Sequence, residues 1–126
     1  MLIRSRKMKG PNKFREQWIF FSHGGQVRGQ FLIDFENYVS SLEIYPQYRG
    51  QGYGNLMIKE MTERFGHNLR YPLCLKVAVS NSIARHLYEK NGFCYTETDF
   101  TNNFSTYMVI GTQPKERNEN NEETVA

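Results

Sequence analysis

The sequence predicts an α/β sandwich of the α+β kind, with two helices on a mixed, mostly antiparallel sheet. Three observations predict it. Apolar residues alternate at period two between residues 18 and 45, the pattern of half-buried strands. The period lengthens to three or four over residues 52–65 and again over 81–92, as on the apolar stripe of a helix. Period-two runs return after each of those stretches, and strands interleaved with helices bury their apolar faces as packed layers.

Trp18-Ile19-Phe20-Phe21 is a short aromatic and β-branched strand, and Gly24-Gly25 suits the tight turn after it. A second strand runs from Val27 to Phe35, with Phe31, Ile33 and Phe35 at period two. Glu36-Asn37 breaks it, and a third spans Tyr38 to Tyr45. Strict alternation sets Tyr38, Ser40, Leu42 and Ile44 on one face and Val39, Ser41 and Glu43 on the other, unless a β-bulge intervenes. Short turns join the three as an antiparallel meander, and Pro46 ends it.

The first helix spans Gly52 to Phe65, with Met57, Met61 and Phe65 four apart and Ile58 beside them. Gly66 stops it in a position suited to a left-handed C-cap. Pro72 opens a strand in which Leu73, Leu75, Val77 and Val79 alternate with Cys74, Lys76 and Ala78. Ser80, Asn81 or Ser82 can cap the second helix, whose apolar face carries Ile83, Ala84, Leu87 and Tyr88, with Gly92 closing it. Two strands, Phe93–Thr98 and Thr106–Ile110, flank the polar loop Asp99–Asn103.

With 126 residues, 39% apolar and 14% aromatic, the chain is one domain able to bury roughly two thirds of its unfolded surface without disulfides. Mean hydropathy is −0.65, and no apolar run approaches the ~20 residues of a membrane span. The first ten residues lack the apolar segment of a secretory signal. Cys74 and Cys94 have neither a metal-binding nor a disulfide-framework spacing. A soluble, cytoplasmic protein is expected. Residues 1–17 carry six basic side chains against one acidic, 18–111 carry eight of each, and 112–126 carry two basic and four acidic. A neutral body at 18–111 therefore bears a basic arm and an acidic tail read as disordered. Solubility is the plain explanation of the arm; nucleic-acid contact is the sharper one.

Between the third strand and the first helix lies Tyr48-Arg49-Gly50-Gln51-Gly52-Tyr53-Gly54. Glycines let backbone approach a ligand closely, and a helix N-terminus offers unpaired N–H groups, so this junction suits a pyrophosphate. A Walker-type loop needs a Lys-Ser or Lys-Thr that does not follow here. A dinucleotide fingerprint needs its third glycine one residue later and a leading βαβ unit.

The remaining pattern, [QR]-x-x-G-x-[GA], is met by Arg49, Gly52 and Gly54, and here the sequence resembles the GNAT superfamily of N-acetyltransferases. Leu42 to Gly50 is similar to that family's fourth strand and loop entry, and Asn81-x-x-Ala84-x-x-Leu87-Tyr88-Glu89-x-x-Gly92-Phe93 to its second motif. The resemblance covers roughly residues 18–110. It implies acetyl-CoA as the acyl donor and a primary amine as the acceptor, with direct transfer in a ternary complex. Backbone groups of Leu42, Glu43 and Ile44 would pair with the pantetheine arm, as an added strand would. Arg49, Gly50, Gln51, Gly52, Tyr53 and Gly54 would hold the pyrophosphate, and Asn81 the cofactor arm. Tyr88 matches the tyrosine that in many members protonates or holds the departing thiolate; a plain core tyrosine is the alternative.

For the base, some relatives place Glu or His five residues before the Asn of the second motif, where this chain has Lys76. Lysine near pKa 10.4 is a poor base at neutral pH. Tyr38, eleven residues before Arg49, is the candidate used by other relatives, with Glu36 as the spare. Members usually begin with a strand and two helices that wall the acceptor groove; the 17 residues before Trp18 hold at most a short strand such as Met1 to Lys7. The groove is therefore expected to be open, suiting a protein or other bulky acceptor, or to be completed by a second copy in a homodimer. The abbreviation and Lys76 also leave open a catalytically degenerate binding module, acting as an adaptor or inhibitor.

Overall fold

The computed structural model describes residues 1–7, 15–22 and 24–109. Its elements are β1 (Leu2–Lys7), β2 (Arg15–Phe21), β3 (Val27–Asp34), β4 (Val39–Ile44), α1 (Tyr53–Phe65), β5 (Leu73–Ala78), α2 (Ser82–Lys90), β6 (Cys94–Asp99) and β7 (Phe104–Val109). β1 occupies the front of the basic arm; residues 8–14 of that arm and the acidic tail at 112–126 lie outside the described residues. No helix among the described residues is long and apolar enough to cross a membrane.

The strands form two antiparallel sheets, ordered β1-β2-β3-β4 and β5-β7-β6. Among the described residues one parallel bridge, Tyr38 to Cys74, joins them, with the Cys74 N–H donating to the Asn37 carbonyl at 3.0 Å. From that seam β4 and β5 run in the same direction without further pairing. A cleft thus opens towards the C-terminal ends of both strands, where loops leading to the helices begin.

Met57, Ile58 and Met61 of α1 are buried against Phe20, Phe31, Ile33 and Val39 of the first sheet and Leu73, Leu75 and Val77 of the second. Phe65 closes one end of this core, edge-on to Trp18 at 5.3 Å and to Phe31 at 6.2 Å between ring centroids. Such pairs add about 0.5–1.5 kcal/mol beyond the area they bury. Asn37 pins the base of the cleft. Its buried amide donates to the Phe65 carbonyl at 2.9 Å and to the Tyr71 carbonyl at 3.0 Å, joining the end of α1 to the entry of β5.

Four expectations change. Strict alternation in the third strand fails, because the β3–β4 register shifts between Gln30 and Leu32 and Ser41 takes a positive φ of 51°. Ser41 is the extra residue of a β-bulge, which reverses the side-chain phase after it. Val39, Leu42 and Ile44 therefore face α1, while Ser40 and Glu43, paired with Leu32 and Gln30, face away. Phe35 lies in the turn and is exposed, because β3 ends at Asp34, whose carboxylate accepts from the Glu36 and Tyr38 N–H groups. Gly66 is not left-handed (φ −81°); it is small of necessity, since a β-carbon there would collide with the Thr62 carbonyl oxygen. Ile83 is 83% exposed, so the inner stripe of α2 is Ala84, Leu87 and Tyr88. Gly92, at φ 94°, is the glycine that takes the left-handed conformation after a helix.

Candidate active site

The loop from β4 to α1 begins with a short 3-10 turn, Pro46–Tyr48. Gly50 and Gly52 follow with φ of 76° and 88°, and a β-carbon at either position would meet no atom within 4 Å. These glycines are required by backbone conformation, and the space over them is open. Gly52 is also the N-cap of α1, and no side chain caps that helix. Its first N–H groups therefore face the opening with the positive end of the helix dipole behind them. Gly54 serves a different purpose: a β-carbon there would press on the Leu87 side chain at 3.3 Å, so its absence lets α1 approach α2.

Side chains fix the loop's shape. Arg49 Nε donates to the Ile44 carbonyl at 2.8 Å, and Gln51 Nε2 to the Gln47 carbonyl at 3.3 Å. The guanidinium of Arg28 lies 4.1 Å from the Tyr48 ring centre and 4.7 Å from that of Tyr53, while its Nε donates to Ser22 Oγ at 3.1 Å. Asn91 donates to Asn55 Oδ1 at 3.0 Å and to the Leu87 carbonyl at 2.9 Å, tying the start of α1 to the end of α2. Arg28 and Asn91 carry no motif signal in the sequence; their roles come from tertiary neighbours.

On the opposite wall, Asn81 caps α2, its Oδ1 accepting from the Ala84 N–H at 3.1 Å. That bond uses the oxygen of the Asn81 side chain and leaves its NH2 group without a partner among the described residues. Tyr88 lies beneath, 7% exposed, with its ring 5.7 Å from Phe93 and 6.3 Å from Tyr107. Among the described residues its hydroxyl has no hydrogen-bond partner. Burial pushes the Tyr88 phenol above its ordinary value of 10.0, so at neutral pH the group holds its proton. Tyr107 contrasts with it: its hydroxyl accepts from Arg85 Nε at 3.3 Å and donates to Glu89 at 2.9 Å.

Leu42, Glu43 and Ile44 form the β4 edge of the cleft. Tyr45 N–H bonds the Arg28 carbonyl, and N–H groups alternate in direction along an antiparallel strand. The Ile44 N–H is therefore turned from β3 towards the open edge. Tyr38 sits at the seam, half-buried, and no hydrogen bond or ring contact among the described residues joins it to Tyr88. Glu36 lies in the exposed β3–β4 turn rather than on the strand, so the parity argument for it fails. Lys76 is exposed on β5, between the buried Leu75 and Val77. A separate groove of about 940 Å³ opens beside α1, lined by Phe20, Arg28, Tyr53, Leu56 and Glu60 among others; it contains neither Gly50, Gly52 nor Tyr88.

Residues 15–94 match the family model of the acetyltransferase (GNAT) domain. No curated protein matches the chain significantly. Among solved structures, a variant of the spermidine N-acetyltransferase SpeG from Vibrio cholerae is similar, with a TM-score of 0.64 and 18% identity over 80% of this chain and 68% of its own. Spermidine N-acetyltransferase from the same organism, in complex with CoA and spermine, aligns with a TM-score of 0.61 and 18% identity over 78% and 65%. A protein from Klebsiella pneumoniae described as an acyl-CoA N-acyltransferase gives 0.59 and 19% over 81% and 77%. At these identities the likeness is one of fold.

Proposed function

The chain belongs to the GNAT family of acetyl-CoA-dependent N-acetyltransferases, and on that premise we propose that it acetylates the primary amine of a protein or other bulky acceptor, in the cytoplasm, by direct transfer in a ternary complex. The observation that carries the acceptor class is the connection from β1 to β2. It is seven residues long, 8–14, too short for the two helices that wall the acceptor groove in longer members, because one helix of three turns already needs about eleven residues. A groove without that wall admits a large substrate.

The cleft fits coenzyme A on three counts: two left-handed glycines under open space, an uncapped helix N-terminus, and a buried hydroxyl without a partner. Acetyl-CoA supplies an activated thioester. In this reading the backbone N–H groups from Gly50 to Gly54 bind the diphosphate. The β4 edge from Leu42 to Ile44 pairs with the amides of the arm as an added strand would, and Asn81 donates to the same arm. Tyr88 keeps a proton at its hydroxyl for the departing thiolate. Tyr38 and Ser40, on the face away from α1, hold the water that takes a proton from the acceptor.

Titration calorimetry with acetyl-CoA tests the donor half, and binding at micromolar concentrations is expected. Gly52→Glu, which sets a carboxylate where the diphosphate would lie, should abolish it. A panel of lysine-bearing proteins, peptides and spermidine then tests the acceptor half. Turnover confined to the small amine would overturn the bulky-acceptor reading while leaving acetyl transfer intact.

A further inference from the structure

We propose that the Glu43 carboxylate, held by Gln30 at the β4 bulge, is the anchor for the positively charged amine of the acceptor. The proposal rests on the acetyl-transfer reading and adds to it the group that recognises the acceptor's charge. Strict alternation would have turned Glu43 towards α1. The bulge at Ser41 instead delivers it to the face shared with Ser40, opposite Gln30 and away from the core.

The carboxylate is held there. Gln30 Nε2 donates to Glu43 Oε2 at 3.2 Å and to the Ser41 carbonyl at 3.0 Å, so one amide group binds the bulge and the side chain beyond it. Gln17 Nε2 donates to Gln30 Oε1 at 3.1 Å. That bond occupies the acceptor end of the Gln30 amide and turns its donor end towards Glu43. Gln17, Gln30 and Glu43 thus form a ladder across β2, β3 and β4, each aligned by the one before.

The ladder ends in an unneutralised anion. No lysine or arginine among the described residues pairs with Glu43, which is exposed. A carboxylate accepts about four hydrogen bonds and Gln30 supplies one. An amide clamp orients the group without cancelling its charge, which is what recognition of an incoming ammonium requires. The backbone edge of this stretch that does not pair with β3, at Leu42 to Ile44, is the one offered to the cofactor arm. An amine held at Glu43 therefore sits over the face of the same strand whose free edge is offered to the donor.

Steady-state kinetics on the full chain, with a lysine-bearing peptide and with spermidine, tests this. Glu43→Gln preserves shape and removes charge; it should raise the acceptor KM about ten-fold or more, the loss of one charge-assisted contact, with acetyl-CoA affinity by calorimetry unchanged. Glu43→Asp should recover part of the loss. Gln30→Leu, which frees the carboxylate without removing it, should raise acceptor KM by less and leave acetyl-CoA affinity unchanged. An unchanged acceptor KM in Glu43→Gln, beside an active wild type, overturns the anchor alone. A parallel loss of acetyl-CoA affinity overturns it too, because the residue would then act on the donor side. A wild type that binds no acetyl-CoA overturns the underlying reading and the anchor with it.

Discussion

A buried hydroxyl without a partner costs about 1–3 kcal/mol, and Tyr88, which has none among the described residues, carries that cost between the Phe93 and Tyr107 rings. Removing the oxygen removes the cost. Tyr88→Phe is therefore expected to fold with an unchanged or higher melting temperature while turnover falls about a hundredfold, the lower end of what a general acid contributes. Acetyl-CoA affinity should change little, since the proposal gives the phenol to the leaving group. Equal turnover in the variant would reduce Tyr88 to packing. The proton follows the same logic. Burial raises the Tyr88 pKa above 10.0, so the folded state holds this proton more tightly than the unfolded chain. Its contribution to stability is constant below pH 10 and declines above it, and pH–rate profiles should show no loss from this group below that point.

Among the elements, β4 imposes the strictest demands on its neighbours. Gly29 lies opposite Ile44, and a β-carbon there would collide with the Glu43 carbonyl oxygen and crowd the Ile44 side chain. Gly29→Ala should cost about 1–3 kcal/mol, read as a melting temperature lower by several degrees; an unaffected midpoint would show that the strand can shift. Acetyl-CoA affinity should drop with it, because the same displacement moves the Ile44 N–H. Gly29 was invisible in the sequence, since a glycine within a strand pattern signals close backbone approach only once its partner strand is known. The bulge was hidden for the same reason: Ser41 is an ordinary polar residue in an alternating run, and only the β3 register exposes it. Elements fixed by local chemistry were legible. The α1 stripe of Met57, Ile58 and Met61, a cap within Ser80–Ser82 (Asn81 in the structure), the Gly92 turn and the glycine loop each follow from a few neighbouring residues. Asn37 read only as a strand breaker, because its partners, the Phe65 and Tyr71 carbonyls, are far away in sequence.

For the whole molecule, the seam at Tyr38–Cys74 divides the sheet into two plates that share one core but no continuous ladder. Amide hydrogen exchange should register that division. The β2–β3 and β5–β7 ladders should protect best, and the Ile44 amide, turned to the open edge, should slow when acetyl-CoA is added, as a strand edge gains a partner. Saturating acetyl-CoA with no slowing there would place the arm elsewhere. The bulge has one more consequence, for how this chain can vary. Ser41 acts on the sheet as a single inserted letter acts on a reading frame: everything after it is read in the other phase. Pairing Ser41 regularly with β3 at an unchanged residue count would turn Leu42 and Ile44 out to solvent and drive Glu43 into the core, whereas deleting Ser41 would straighten the strand and leave all three on their present faces. The inserted letter and the bulge therefore stand or fall together: this strand can lose both at once, but it cannot lose the bulge and keep the letter.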